Sequence, residues 1–306
     1  MIVYHYTSID TLEKIFSSYS AETNSINLRG THCNFLNDGT ESVLGAQLLP
    51  NYIIEIEKEL QIAPNWKLEP AFFNEKYLQS LVDRIKKYDD TKEQTSKFVT
   101  SFSKERDNLV MWSMYGNKGN GIALGFDAEM LTRCLAGRKY VWTVEAEECT
   151  YFTNEELKGI CDKNSSIYVY AKNLYEGMIY EKVKKSLFEL TDKSLNQQER
   201  WNKVMDTIVM NLITHVSMFC KLDMWKNEQE YRLVMDNFTR GVLYYKNANN
   251  VYVPYINVPV LLASLKEIVI GPTCGRNAHG MINSLFYQRE LDPKTVAIEH
   301  SSCPLQ

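Results

Sequence analysis

Apolar and polar positions change period several times along the chain, and each change marks an element. Residues 2–7 (IVYHYT) are β-branched and aromatic, and they predict a strand. Ile9, Leu12, Ile15 and Phe16 then recur at helical spacing. Asp10 is placed to cap that helix, with Glu13 as its capping-box partner. Residues 25–29 (SINLR) predict a short strand, and Asn-Asp-Gly at 37–39 predicts a turn before a helix near Thr40. Residues 51–61 read as helical. Residues 62–95, charged and loosely patterned around Pro64 and Pro70, read as helix plus loop. Residues 97–103 predict a strand, 108–116 a short helix ended by Gly116, 122–127 a strand, and 141–152 contain another. From about 165 to 222 the pattern is mostly helical, with Val204, Ile208, Leu212, Val216 and Phe219 as its apolar stripe. Residues 230–235, 242–246, 251–258, 267–272 and 295–300 predict late strands, with a helix over 281–291 between the last two.

Strands at both ends with helices mostly between them predict an α+β fold with mixed or antiparallel pairing. No internal repeat, low-complexity tract or linker interrupts the pattern. The expectation is one domain, 1–306, with a helical insertion at about 165–222.

The balance of 44% apolar and 24% charged residues suits a globular core. A formal net charge of −4 provides no global attraction to nucleic acid or anionic membrane. The odd number of cysteines, seven, without short paired spacing, fits scattered thiols in a reducing cytoplasm. The first residues lack a signal-peptide layout, and no stretch approaches the roughly 18 apolar residues of a membrane span. A cytoplasmic protein with no membrane partner is expected. No HExxH or paired Cys/His spacing points to a metal, and no GxSxG elbow points to a serine hydrolase. The glycine-rich GNKGNG lacks the ending of a phosphate-binding loop and reads as a plain loop.

Several residue types could carry chemistry. His5 is expected to point away from Tyr4 and Tyr6, sharing its face with Thr7. Buried there, its ring nitrogens need partners, whether backbone or a ligand. Asn37, Asp38 and Glu41 form either an acidic helix start or a loop over a ligand. Ser101 and Ser103 share one strand face, where their hydroxyls bond across a sheet or hold a ribose. Trp112 and Tyr115, three apart, form a core or an aromatic wall. Glu228 and Glu230 open a strand and Arg232 continues their line, opposite apolar Tyr231, Leu233 and Met235. Such charges are either solvated, or paired, or in contact with ligand.

YHYTS, LNDGTES, SFSKERDNLVMWSMYG with GNGIALGFD, WKNEQEYR and EIVIGP occur in that order. Together they resemble the bacterial family known as domain of unknown function 2971, from Tyr4 to about Ser301. Gly39 departs from it, since the family often has proline there. A second resemblance is to the layout of the ADP-ribosyltransferase superfamily: a strand with His, an aromatic and Thr, a strand with Ser-x-Ser, and a strand opening with Glu-x-Glu. It implies a sheet core of that kind and NAD as substrate without a metal. By that resemblance His5 holds the ribose, with Tyr6 and Thr7 beside it. Ser101 or Ser103, with Tyr115 as the alternative, supports the nicotinamide. Glu230 or Glu228 stabilises the transition state. It further implies a toxin or anti-phage defence effector, with a protein or nucleic-acid acceptor and a partner from the same defence system. The competing reading is a non-catalytic sensor or ligand-binding module of a defence or regulatory system. A third is an enzyme directed at a modified base or single-stranded end.

Overall fold

The computed structural model describes residues 1–36, 41–61, 76, 80, 83, 96–133, 141–153, 163, 166–179, 188–189, 191–237, 244–248 and 251–304, in places by backbone alone. Strand β1 (Ile2–Ser8) runs into α1 (Ile9–Ser17) without a loop. The cap is Ser8, not Asp10: its hydroxyl accepts from the Thr11 N–H, because the chain is still extended at Ser8 and turns helical just after it. Leu12, Ile15 and Phe16 form the buried face of α1, as the spacing requires.

The chain continues through β2 (Ser25–His32), α2 (Glu41–Glu59), β3 (Ser96–Ser103), α3 (Leu109–Met114), β4 (Gly121–Asp127) and α4 (Ala128–Leu131). Then come β5 (Val141–Glu148), β6 (Thr150–Phe152), α5 (Ser166–Ile179), α6 (Gln197–Met218) and β7 (Cys220–Leu222). Last are β8 (Glu230–Asn237), β9 (Tyr244–Ala248), β10 (Val251–Leu261), β11 (Leu265–Ile270), α7 (Ala278–Tyr287) and β12 (Ala297–His300). The fold is α+β with a mostly antiparallel sheet; only β11–β12 and β6–β7 pair parallel among the described strands. The Asn-Asp-Gly turn and most of 62–95 lie outside the described residues.

Contacts divide the chain into two compact units. One comprises Met1–Leu36, Glu93–Cys149 and Trp225–Gln306; the other comprises Asn37–Lys92 and Thr150–Met224.

The first unit holds a ten-stranded sheet. One path runs β12-β11-β4-β1-β3-β2-β10-β9, and β8 pairs with both β3 and β5. Strand β3 carries β8 along one edge. Its other edge is shared by β1 near Ser103 and β2 near Phe98, so the sheet forks there. The larger core covers one face, with Val3, Leu28, Phe102, Leu124, Leu233 and Val258 packed with Phe16 of α1 and Phe286 of α7. Those two phenylalanine rings lie 4.8 Å apart. The opposite face carries a smaller cluster of Tyr4, Tyr6, Met111, Trp112, Ala123 and Val269.

In the second unit α2 packs on α6, which buries Val204, Ile208, Leu212 and Val216 as its stripe predicts. A Cβ at Gly45 would stand 2.4 Å from the Ile213 carbonyl oxygen, so glycine is what lets these two helices approach. The Gly45 N–H donates to the Ser217 hydroxyl at the crossing. The helix α6 begins with a complete capping box of Asn196 and Glu199.

Candidate functional site

Register decides which side chains can meet. Residues opposite one another in an antiparallel ladder share a face, and neighbours along a strand alternate. Tyr4 lies opposite Ser103, Ser103 opposite Glu230, and Ser101 opposite Arg232. Tyr4, Tyr6, Ser101, Ser103, Glu230 and Arg232 therefore leave one face. His5 lies opposite Leu124 and makes an edge contact with the Phe102 ring, both on the other face, with Thr7. The strands β1, β3 and β8 are immediate neighbours, yet the expected grouping of His5, Ser103 and Glu230 around one ligand is not formed. The sheet itself stands between His5 and Glu230.

On the Glu230 face most of the expected site residues close on one another. Arg232 donates through Nε and Nη2 to the two carboxylate oxygens of Glu230, each at 2.9 Å. Both residues are buried, and the bidentate geometry is the kind that offsets desolvation. Glu228 does not lie on the strand, contrary to the sequence reading. It ends a 3-10 turn over 223–228, and Gln229 at φ +45° breaks the line before β8 begins. The Glu228 carboxylate accepts from the Tyr115 hydroxyl at 2.5 Å. Its carbonyl accepts from the Ser103 hydroxyl at 2.7 Å, and Ser103 also accepts from the Glu105 N–H.

Tyr6 extends this network. Its hydroxyl donates to the Glu105 carbonyl at 2.8 Å and accepts from the Asn108 N–H. Burial pushes the Tyr6 phenol up. Trp112 packs on Tyr6 at 4.8 Å and donates from Nε1 to Asp107. Burial alone would raise the Asp107 carboxyl, but hydrogen bonds from Ser301, Trp112 and Ser302 hold it below the ordinary range. Trp112 is fully buried, and Tyr115 is the half-buried residue just past the end of α3, so the pair forms core rather than an open aromatic wall.

His5 is in a different situation. Its Nδ1 lies 3.0 Å from the Ser101 carbonyl oxygen, which can only accept, so Nδ1 carries the proton and Nε2 is left as an acceptor. Burial first, and the Lys246 ammonium as well, push His5 below its ordinary value, against the Ser101 hydrogen bond; the ring is neutral near pH 7. Among the described residues nothing donates to Nε2.

On the Glu230 face, where Thr31 stands opposite Val99, lies a group that sequence reasoning missed. The Thr100 hydroxyl donates to the Arg29 carbonyl, tying β3 to β2. The Arg29 guanidinium lies over the Tyr255 ring at 4.8 Å, and Tyr255 stacks on Tyr244 at 5.5 Å. Burial and the charge of Arg29 push Lys246 down. The signal available in sequence was slight: one arginine inside SINLR and one lysine after a tyrosine pair, on strands far apart in the chain. Asn37 and Asp38, and the side chain of Glu41, lie outside the described residues. Among the described residues no group of three or more His, Cys, Asp or Glu is gathered as a metal requires. Also among them, no helix is long and apolar enough to cross a membrane.

Fold and site together define an α+β protein with a polar network locked into one sheet face and an open imidazole on the other. Residues 111–233 match the family model described as "Protein of unknown function (DUF2971)". That stretch includes Trp112, Tyr115, Glu228, Glu230 and Arg232, whereas His5, Ser101 and Ser103 precede it. No curated protein and no solved structure matches the chain.

Proposed function

We propose that this chain is a ligand-binding module, and that its ligand sits on the His5 side of the fork in the sheet. One observation supports this above the rest: His5 and Glu230 leave opposite faces. Glu230 is occupied by Arg232 and Glu228 by Tyr115, so the acidic pair serves the fold. A half-buried neutral imidazole whose acceptor no described residue engages is suited to receive a hydrogen bond from a ligand hydroxyl. On this reading the module acts as a sensor in a bacterial defence or regulatory system.

A second reading has its own support. The strands carrying His5, Ser101 with Ser103, and Glu230 are adjacent, as an NAD-consuming ADP-ribosyltransferase layout requires. That reading makes NAD a substrate, passes ADP-ribose to a protein or nucleic acid, and suits a toxin or anti-phage effector. It needs a carboxylate other than Glu230 on the His5 side, to stabilise the oxocarbenium-like centre formed when nicotinamide leaves.

Purified protein incubated with NAD decides between them. The binding reading expects no release of nicotinamide. Release that is lost in a folded His5→Ala variant would overturn it and establish the enzyme.

A further inference from the structure

We infer that the surface formed by Arg29, Lys246, Tyr255 and Tyr244, on the Glu230 face of the sheet, is a nucleotide site, taking phosphate on its two cations and a flat ring on its tyrosines. The inference goes beyond the binding reading above, because this surface lies across the sheet from His5.

Arg29 and Lys246 feel each other's charge, yet among the described residues neither is paired with a carboxylate. Two like charges held together without a counterion are a source of repulsion, and a bound anion relieves it. The register keeps them on one face. Tyr244 lies opposite Tyr255, Tyr255 opposite Thr31, and Asn257 opposite Arg29, while Lys246 lies two residues along from Tyr244. Stacking on Tyr255 fixes the guanidinium plane, so less freedom is lost when it engages phosphate. Arg29 and Tyr244 are exposed and Lys246 is half-buried, so the group is reachable from solvent.

The aromatic pair distinguishes a nucleotide from a bare anion, which would gain nothing from rings. Tyr244 is 45% exposed although it stacks on Tyr255, so it keeps an open surface for a base. Two cations match one or two phosphates. They do not make the extended track that a nucleic-acid strand needs, and the net charge of −4 opposes one.

The test is calorimetric titration of the full chain with ADP, with adenosine, and with a short single-stranded DNA. Wild type is compared with Arg29→Gln and Lys246→Gln, each checked by circular dichroism. Saturable ADP binding is expected, weakened roughly tenfold to hundredfold by Arg29→Gln and by Lys246→Gln, with adenosine weaker by a similar factor. Absence of ADP binding, or DNA bound in preference to ADP, overturns the inference. So does ADP binding that ignores both cation variants. Nicotinamide release from NAD, measured separately, removes the binding reading itself.

Discussion

Arg232 is held by Glu230, two residues before it on the same strand face, and both are almost wholly withdrawn from water. Glu230→Ala would leave a buried guanidinium without this partner. The expected loss is about 3–5 kcal/mol of stability, read as a lower urea midpoint. An unchanged midpoint would remove Glu230 from the support of the fold. His32 shows burial acting on a single ring: it is pushed down to about 4 from its ordinary 6.5. The unfolded chain takes up this proton below about 6.5, while the folded chain resists until about 4. His32 therefore contributes stability that is complete above pH 6.5 and is lost as pH falls toward 4, about 3 kcal/mol in all. Urea midpoints measured from pH 7.5 to 4 should fall less steeply in a folded His32→Gln variant. The sequence showed that charges at Glu230 and Arg232 opposite an apolar face needed an explanation. It did not show that they answer each other, because that depends on burial supplied from elsewhere in the chain.

Elements were more legible than their arrangement. Alternation in IVYHYT, KFVTSFS and EYRLVM marked β1, β3 and β8, and the helical stripe marked α6. Even the faces were readable, with His5 opposed to Tyr4 and Tyr6. What no local pattern contains is which residue of β3 stands beside which residue of β1, and a shift of one position exchanges the faces. Hence the grouping of His5 with Glu230 failed although each strand was found. Glu228 was misplaced for a local reason, the positive φ at Gln229, which any spacing argument passes over. Glycines make a matched test of element contacts. A Cβ on Gly271, after β11, would lie 2.2 Å from the Gly119 carbonyl oxygen, so Gly271→Ala should destabilise by about 1–3 kcal/mol. At Gly280 in α7 a Cβ would meet nothing within 4 Å, so Gly280→Ala should stabilise by about 0.5–1 kcal/mol. Denaturation midpoints moving in opposite directions would bear out both.

The first unit is assembled from three separated stretches of chain, and no contiguous piece contains its sheet. A fragment of residues 1–149 keeps β1, β3 and β4 but lacks β8, β10 and β11, the partners of β3, β2 and β4. Such a fragment should show no near-ultraviolet circular dichroism and poor amide dispersion, and a well-dispersed spectrum would refute this. The order of the elements, strands at both ends with helices mostly between, foretold the α+β class, but not the fork where β1 and β2 share one edge of β3. The pairing of Leu28 with Val258 in that sheet also sets a timetable. At roughly 5–20 residues per second a ribosome needs on the order of tens of seconds to travel from β2 to β10. For that interval β2, with Ile26 and Leu28 destined for the core, has one edge open to any stray strand, and a holding chaperone would have its window there.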